Sequence, residues 1–284
     1  MKNVSDKPHS CQYLIDDRLS WWHQNHVRLL LERAGVTQAH VIADIGIGQG
    51  HWSDVVLHSL DSTAVLYGID QEACWLDDAR QRFLRHPKAE MFKPIHADAA
   101  SIPIESNAID MATCQTLLMH CRDPEAVVRE MLRIVRPGGA LLVVEPVNIL
   151  NRAQVFELAG LGFSEDHIDL IRFWSHYHAY LRREKHVDHD IGARLPDLFA
   201  SAGARDIALC QNDTILTCPV SDRPTLDDYE YTSSEVAAAF ADDEYEQTLY
   251  KRGLTAFERL DLRFSAAAKT YAMRQNLVAM VALK

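Results

Sequence analysis

The first half of this chain is built on a rhythm that few folds tolerate. Five short apolar runs, at 40–45, 64–69, 91–96, 108–113 and 140–144, alternate with stretches whose apolar residues recur at helical spacing. Runs this short and continuous are strands buried on both faces, and strands alternating with helices build a parallel sheet covered on either side. The intervening helices are expected at Trp52–Leu60, Glu72–Leu84 and from Asp123-Pro124 to Val135, where Asp caps and Pro suits the first turn. Pro137-Gly138-Gly139 breaks that last helix before the fifth strand. An earlier helix covers Val27–Ala34 and stops at Gly35. Sheets of this kind bind ligands at the carboxyl ends of their strands, near the point where strand order reverses. The turns after Ile45, Ile69, Ala97 and Thr113 are therefore the places to look.

After Glu145 the regularity lapses. Residues 147–190 are rich in aromatics and histidines and show no strand pattern. A helix is expected at Ile191–Ala202, capped by Gly203, and 207–209 with 215–216 reads as one interrupted strand. Residues 222–270 look helical and acidic, and Leu277–Leu283 is a last strand. The organisation that follows is an N-terminal helical segment (1–38), a core (39–146), an insertion (147–190), and the remainder of the core (191–284) interrupted by the acidic helical stretch.

Charge narrows the partners. Forty acidic against 29 basic residues leave a formal net charge of -11. Proteins that grip a nucleic-acid backbone carry a basic stripe, and the nearest candidate here, Arg182, Arg183 and Lys185, is offset by Glu184 and Asp188. A nucleic-acid partner is disfavoured on that ground. The six cysteines form no C-x-x-C pair and suit a reduced, cytoplasmic protein. The first ten residues lack an apolar signal core, and no run of 18 apolar residues suggests a membrane span.

The chemistry-bearing motif is Asp44-Ile45-Gly46-Ile47-Gly48-Gln49-Gly50. Glycines let a strand-to-helix turn tighten and let a ligand meet main chain, while the following helix aims free N–H groups at an anionic group. A dinucleotide fingerprint, G-x-G-x-x-G, would need glycine at 51 or 53, which are His51 and Ser53. The loop instead resembles motif I of the class I S-adenosylmethionine-dependent methyltransferases.

That resemblance covers residues 40–146 and implies a Rossmann-like, doubly wound α/β fold: a mostly parallel seven-stranded sheet with an antiparallel last strand, plus a helical insertion acting as a lid. It implies S-adenosylmethionine as cofactor. Gly46, Gly48, Gln49 and Gly50 would lie against its methionine part, with Asp44 ordering the loop and its ammonium group. Asp70 and Gln71, ending the second strand, correspond to the ribose-binding acid and its neighbour. Asp98 and Ala99 correspond to the adenine-binding turn, and Cys114 with Gln115 to the cofactor floor. Asp110 and Arg136-Pro137-Gly138-Gly139 also sit where the family has its familiar features. Ile47 departs from the Cys or Gly that many members place there.

Methyl transfer asks mainly for positioning and exclusion of water, with a base only where the nucleophile holds a proton. His120, six residues beyond Cys114, is the candidate base, weighed against a structural histidine. Glu145, ending the fifth strand, is the second candidate, weighed against a buried hydrogen-bonding acid. His176 and His178 are too close in sequence to converge on a helix, whereas His186 and His189 could do so beside Asp188 and Asp190. Surface or lid histidines are the preferred reading there, and no metal is expected. Trp21, Trp22, Phe173, Trp174, Tyr177 and Tyr180 either close over an apolar acceptor or simply fill a core; Tyr13 is a further candidate for cofactor contact. The expected function is methylation of a small-molecule acceptor at O, N, S or C. The alternatives are a methyltransferase for RNA or protein and a non-catalytic binder of S-adenosylmethionine or S-adenosylhomocysteine. Acceptor, attacked atom and oligomeric state stay open at this level.

Overall fold

In the computed structural model the described residues are 16–149, 164–212, 215–219, 232–267, 270–274 and 277–284. Tyr13, considered above, lies outside them. The strands are β1 (Val41–Ile45), β2 (Ala64–Asp70), β3 (Ala89–His96), β4 (Ile109–Gln115), β5 (Val135–Pro146), β6 (Arg205–Gln211), β7 (Ile215–Pro219), β8 (Thr270–Arg274) and β9 (Leu277–Leu283). The α-helices are α1 (Gln24–Arg33), α2 (His51–Ser59), α3 (Ala73–Phe83), α4 (Pro124–Ile134), α5 (Glu165–Tyr180), α6 (Leu195–Ser201), α7 (Ser234–Ala238) and α8 (Glu244–Ala267).

Seven strands form one sheet in the order β3-β2-β1-β4-β5-β9-β6. Strands β1 to β5 pair in parallel, and β9 runs antiparallel to β6. Backbone bonds between Gly138, Gly139 and Lys284 set the start of β5 beside the end of β9. The sheet is therefore the mixed, doubly wound one expected. Its central strands are mostly apolar because both faces are covered: Ile42, Ala43, Ile45, Leu66, Ile69, Met111, Leu141 and Val143 are all at most 1% exposed. Register places Ile45 beside Ile69, Asp70 beside His96, and Gln115 beside Val144. The carboxyl ends of five strands thus lie along one edge, and strand order reverses between β1 and β4.

Local chemistry explains the helix ends. Asp123 accepts a hydrogen bond from the Ala126 N–H at 2.9 Å, with Pro124 in the first turn, as capping predicts. The helix stops at Ile134, however, and β5 begins at once at Val135, not at Ala140. Pro137-Gly138-Gly139 is an irregularity inside the ladder: Val135 pairs with Ile109, and the register shifts before Met111 meets Ala140. The expected helix at 191–202 opens as a 3-10 turn, Ile191–Arg194, before Pro196 enters the first turn of α6.

The single interrupted strand expected at 207–216 is two strands in two sheets. Strand β6 pairs with β9, whereas β7 pairs antiparallel with β8 in a separate two-stranded sheet. Asn212 ends the first: its N–H bonds Leu277 O and its side-chain amide bonds Trp21 O, which commits it to the large sheet's edge. Strand β8 begins at the last residue of the stretch expected to be helical, and α5 lies within 147–190, where the resemblance implied a helical insertion.

The chain divides into two compact units: residues 1–145, 191–214 and 277–284 in one, and 146–190 with 215–276 in the other. The first holds the seven-stranded sheet. In the second, α5 packs on α8 around Phe173, Trp174, Phe240, Phe257 and Leu260. Gly253 permits that approach, since a Cβ there would lie 2.5 Å from the Phe173 ring. Phe173 and Trp174, at 2% and 3% exposure, are core residues of this unit, and Trp22 is core in the first, its ring tilted against Trp52 at 5.4 Å.

Candidate functional site

The loop between β1 and α2 is shaped by glycine. Gly46, Gly48 and Gly50 all have positive φ, at 70°, 52° and 83°, where a side chain is strained. A Cβ on Gly46 would lie 2.7 Å from Leu117, and one on Gly50 would lie 2.5 Å from the Phe83 ring. The loop is tied to the end of β2: the N–H groups of Gly46 and Ile47 donate to Ile69 O at 2.7 and 3.0 Å, and Gly48 N–H donates to Asp70 Oδ2 at 2.9 Å. Arg82 Nε donates to Gln49 O, and the Gln49 amide reaches Asp78.

Two carboxylates flank the loop. Asp70 accepts from Gly48 N–H on one oxygen and from Glu72 N–H on the other, so each oxygen keeps one lone pair. Burial pushes its pKa up while those backbone bonds pull it down. Asp44 is more extreme. It is 1% exposed, Ser53 donates to its Oδ2 at 2.5 Å, and its Oδ1 has no hydrogen-bond partner. Burial first, partly offset by the Ser53 bond and reinforced by nearby Asp70, raises its pKa to about 7. A buried acceptor left unpaired is costly, and a cationic or donor group from outside the protein would relieve it.

The remaining strand ends complete the edge. Asp98 is exposed and accepts from Ala100 N–H at 2.8 Å in a tight turn that includes half-buried Ala99. Gln71 O takes a bond from His96 Nε2. Gln115 is 8% exposed and its Nε2 has no partner, a buried donor matching the buried acceptor of Asp44. Cys114 is fully buried, and burial with the Glu145 charge pushes its thiol pKa well up, so it stays protonated.

Glu145 is 0% exposed and accepts from three successive backbone donors, Leu117, Leu118 and Met119, at 2.9, 2.6 and 3.3 Å. Those bonds hold the 3-10 turn Leu118–His120. A carboxylate so committed acts as a cap, and His120 is the exposed residue that the turn presents. In the second unit, His178 Nδ1 pairs with Asp190 Oδ2 at 2.7 Å and its ring stacks on His189. His176 Nε2 bonds Ala239 O.

Two residues at this edge carry no sequence signal. Thr116 has φ 52°, a left-handed backbone that a β-branched residue rarely takes, held by its N–H bond to Val144 O at 2.8 Å. Arg18 lies in a 3-10 segment before α1; its Nη1 is 3.4 Å from Thr116 Oγ1 and its guanidinium lies 4.9 Å over the Trp21 ring. Burial lowers its pKa to about 10. Neither periodicity nor motif marks either one, because their neighbourhood is made by chain segments about a hundred residues apart.

Comparison with known proteins covers this part of the chain. Residues 43–143 match the family model described as a methyltransferase domain. The ubiquinone/menaquinone biosynthesis C-methyltransferase of Hahella chejuensis is 27% identical over 133 residues, 46% of this chain and 53% of that protein. The enzyme of the same name from Pseudomonas putida (strain F1) is 30% identical over 148 residues, 51% of this chain and 58% of that protein. The chain thus spans little more than half the length of these relatives. The YcgJ protein of Bacillus subtilis shares the fold at a TM-score of 0.52 with 16% identity, over 92% of this chain and 99% of that one.

Proposed function

Since this protein belongs, through residues 43–143, to the class I S-adenosylmethionine-dependent methyltransferases, we propose that it transfers the methyl group of that cofactor to a small-molecule acceptor. The observation that carries the reading is the glycine loop, with three positive-φ glycines between a buried, half-unpaired Asp44 and a strand-end Asp70.

The residues present fit the group. Asp44 Oδ1 is an acceptor without a partner, suited to the cofactor's ammonium, and Gln115 Nε2 is a donor without one. The lone pairs left on Asp70 suit vicinal ribose hydroxyls. Asp98 with Ala99 would hold the adenine edge, and Gly46, Gly48, Gln49 and Gly50 would meet the methionine part through main chain. Gln71 and Cys114 border these contacts. When bound, the cofactor supplies an electrophilic methyl group on a sulfonium leaving group. What the chain supplies is alignment and exclusion of water. We assign to His120, exposed on the turn that Glu145 caps, the taking of a proton where the acceptor has one to lose. Glu145 acts through that turn.

The curated relatives are named as C-methyltransferases of quinone biosynthesis. Their likeness lies in the cofactor half, so it supports the reaction class and leaves the acceptor to experiment. The net charge of -11 weighs against a nucleic-acid acceptor.

The test is calorimetric titration with S-adenosylmethionine, S-adenosylhomocysteine and NADH in parallel. Binding of both sulfur compounds without NADH is expected, and absence of both would remove the reading. Asp70→Ala is expected to weaken the cofactor by about 1–3 kcal/mol, the cost of stranding hydrogen-bonding partners. Affinity unchanged in a folded variant would withdraw the ribose role. His120→Ala should retain cofactor affinity and lose turnover on a protonated acceptor.

A further inference from the structure

At the end of α2 away from the glycine loop, three side chains of metal-ligand type converge. Asp54 and His58 lie one turn apart on α2, and His86 follows α3. His58 Nδ1 and His86 Nε2 are 3.2 Å apart. Asp54 Oδ1 is 3.4 Å from His86 Nε2, and Asp54 Oδ2 is 3.6 Å from His58 Nδ1. Among the described residues this is the group of three whose donor atoms all fall within 4.8 Å of one another.

Those spacings carry chemical information. Ligands about 2.0–2.1 Å from a tetrahedral zinc ion stand about 3.3 Å from each other. The two imidazole nitrogens, 3.2 Å apart, match one edge of that tetrahedron, and Asp54 approaches one through Oδ1 at 3.4 Å and the other through Oδ2 at 3.6 Å, so a turn of the carboxylate brings one oxygen to the third corner. The protons point the same way. His58 Nδ1 lies 2.8 Å from the Asp54 carbonyl, which only accepts, so that nitrogen carries hydrogen. Lys88 N–H donates to His86 Nδ1 at 3.2 Å, which puts the proton of the neutral ring on Nε2. Two N–H groups then oppose each other across 3.2 Å. One cation in their place turns both nitrogens into acceptors, each ring carrying its proton on the other nitrogen. Two contacts yield, the 2.8 Å bond from His58 Nδ1 to the Asp54 carbonyl and the 3.2 Å Lys88 contact, and the metal–nitrogen bonds replace them.

We propose that Asp54, His58 and His86 bind a divalent ion of the zinc class, with water in the fourth position. Two imidazoles and one carboxylate suit zinc rather than calcium or magnesium, which take oxygen ligands. The His86 side chain is 4% exposed, Asp54 21% and His58 45%, so the site has a buried anchor and an open side for entry. The ion clamps the end of α2 to the turn after α3. Both helices also shape the glycine loop: Gly50 starts α2, and Phe83 and Arg82 of α3 pack on Gly50 and bond Gln49 O. The clamp is structural and does not depend on the methyl-transfer reading. It also departs from the sequence expectation of no metal, which weighed only the histidines beyond residue 175.

The experiment strips the protein with a chelator, titrates it with Co2+ while recording the visible spectrum, and then displaces the cobalt with Zn2+. One equivalent with the intense spectrum of tetrahedral cobalt is expected, displaced by zinc one for one. His58→Gln and His86→Gln should each weaken binding at least about tenfold, the size seen when even outer-shell partners of a metal are lost. His58 is exposed, so His58→Gln should keep the far-ultraviolet circular dichroism of the parent. Zinc should raise the parent's Tm and leave that of His58→Gln where it is. A weak octahedral spectrum, no saturation at one equivalent, or parental affinity in both variants would overturn the site.

Discussion

Asp44 sits in surroundings that resist its charge, and pH reads out how strongly. Unfolded, an aspartate ionises near 4; folded, burial keeps Asp44 protonated up to about 7. Between those values the folded state binds more protons, so this group's contribution to stability falls as pH rises from about 4 to about 7 and is level above. The difference in urea midpoint between the parent and Asp44→Asn should therefore widen across that window, to the parent's cost. A cationic ligand group prefers the ionised form, so affinity for S-adenosylmethionine should rise with pH through about 7 in the parent and stay flat in Asp44→Asn. A flat parent profile in calorimetry would separate Asp44 from the ligand. Asp44 and Asp70 were both legible as strand-end acids. Their partners were not: Ser53 and Gly48 reach them only once α2 and the loop have folded back.

The element that most needs its own sequence is the β1–α2 loop. Gly50 caps α2 at φ 83° with the Phe83 ring where a Cβ would go, whereas Gly35, at φ 68°, has nothing within 4 Å. Both pay the left-handed strain of about 1–2 kcal/mol when changed to alanine. Only Gly50→Ala adds overpacking, typically about 1–3 kcal/mol. Urea unfolding should rank Gly50→Ala below Gly35→Ala, and the former should also weaken cofactor binding. Elements set by local signals, such as α4 with its Asp123 cap, appear where capping puts them. The misread ones depend on remote partners. Strand β5 starts five residues early because Val135 finds Ile109, and 205–219 splits because β6 finds β9 and β7 finds β8.

At the scale of the molecule, the core is assembled from three stretches of chain, and the third of them supplies β9, the strand between β5 and β6. In β9, Leu277, Ala279, Met280, Val281 and Ala282 are at most 4% exposed. Its Leu, Met and Val alone bury side chains worth about 1.5–3 kcal/mol each, comparable in sum to the ~5–15 kcal/mol that holds a domain together. A chain stopped before Leu277 should lose cooperative unfolding and cofactor binding together, measured by circular dichroism and calorimetry; a folded, binding truncation would contradict the sheet order. The sequence by itself determined the doubly wound class, the glycine loop and the acids at three strand ends. Each of these is written in a local period, a turn chemistry or a spacing of one strand-helix unit. Only the tertiary structure decided that residues 164–190 and 232–267 share one compact unit, that Glu145 serves as a cap, and that Asp54, His58 and His86 meet. Those outcomes depend on side chains and strands brought together across roughly thirty to eighty residues, and no local pattern records which distant partner will arrive.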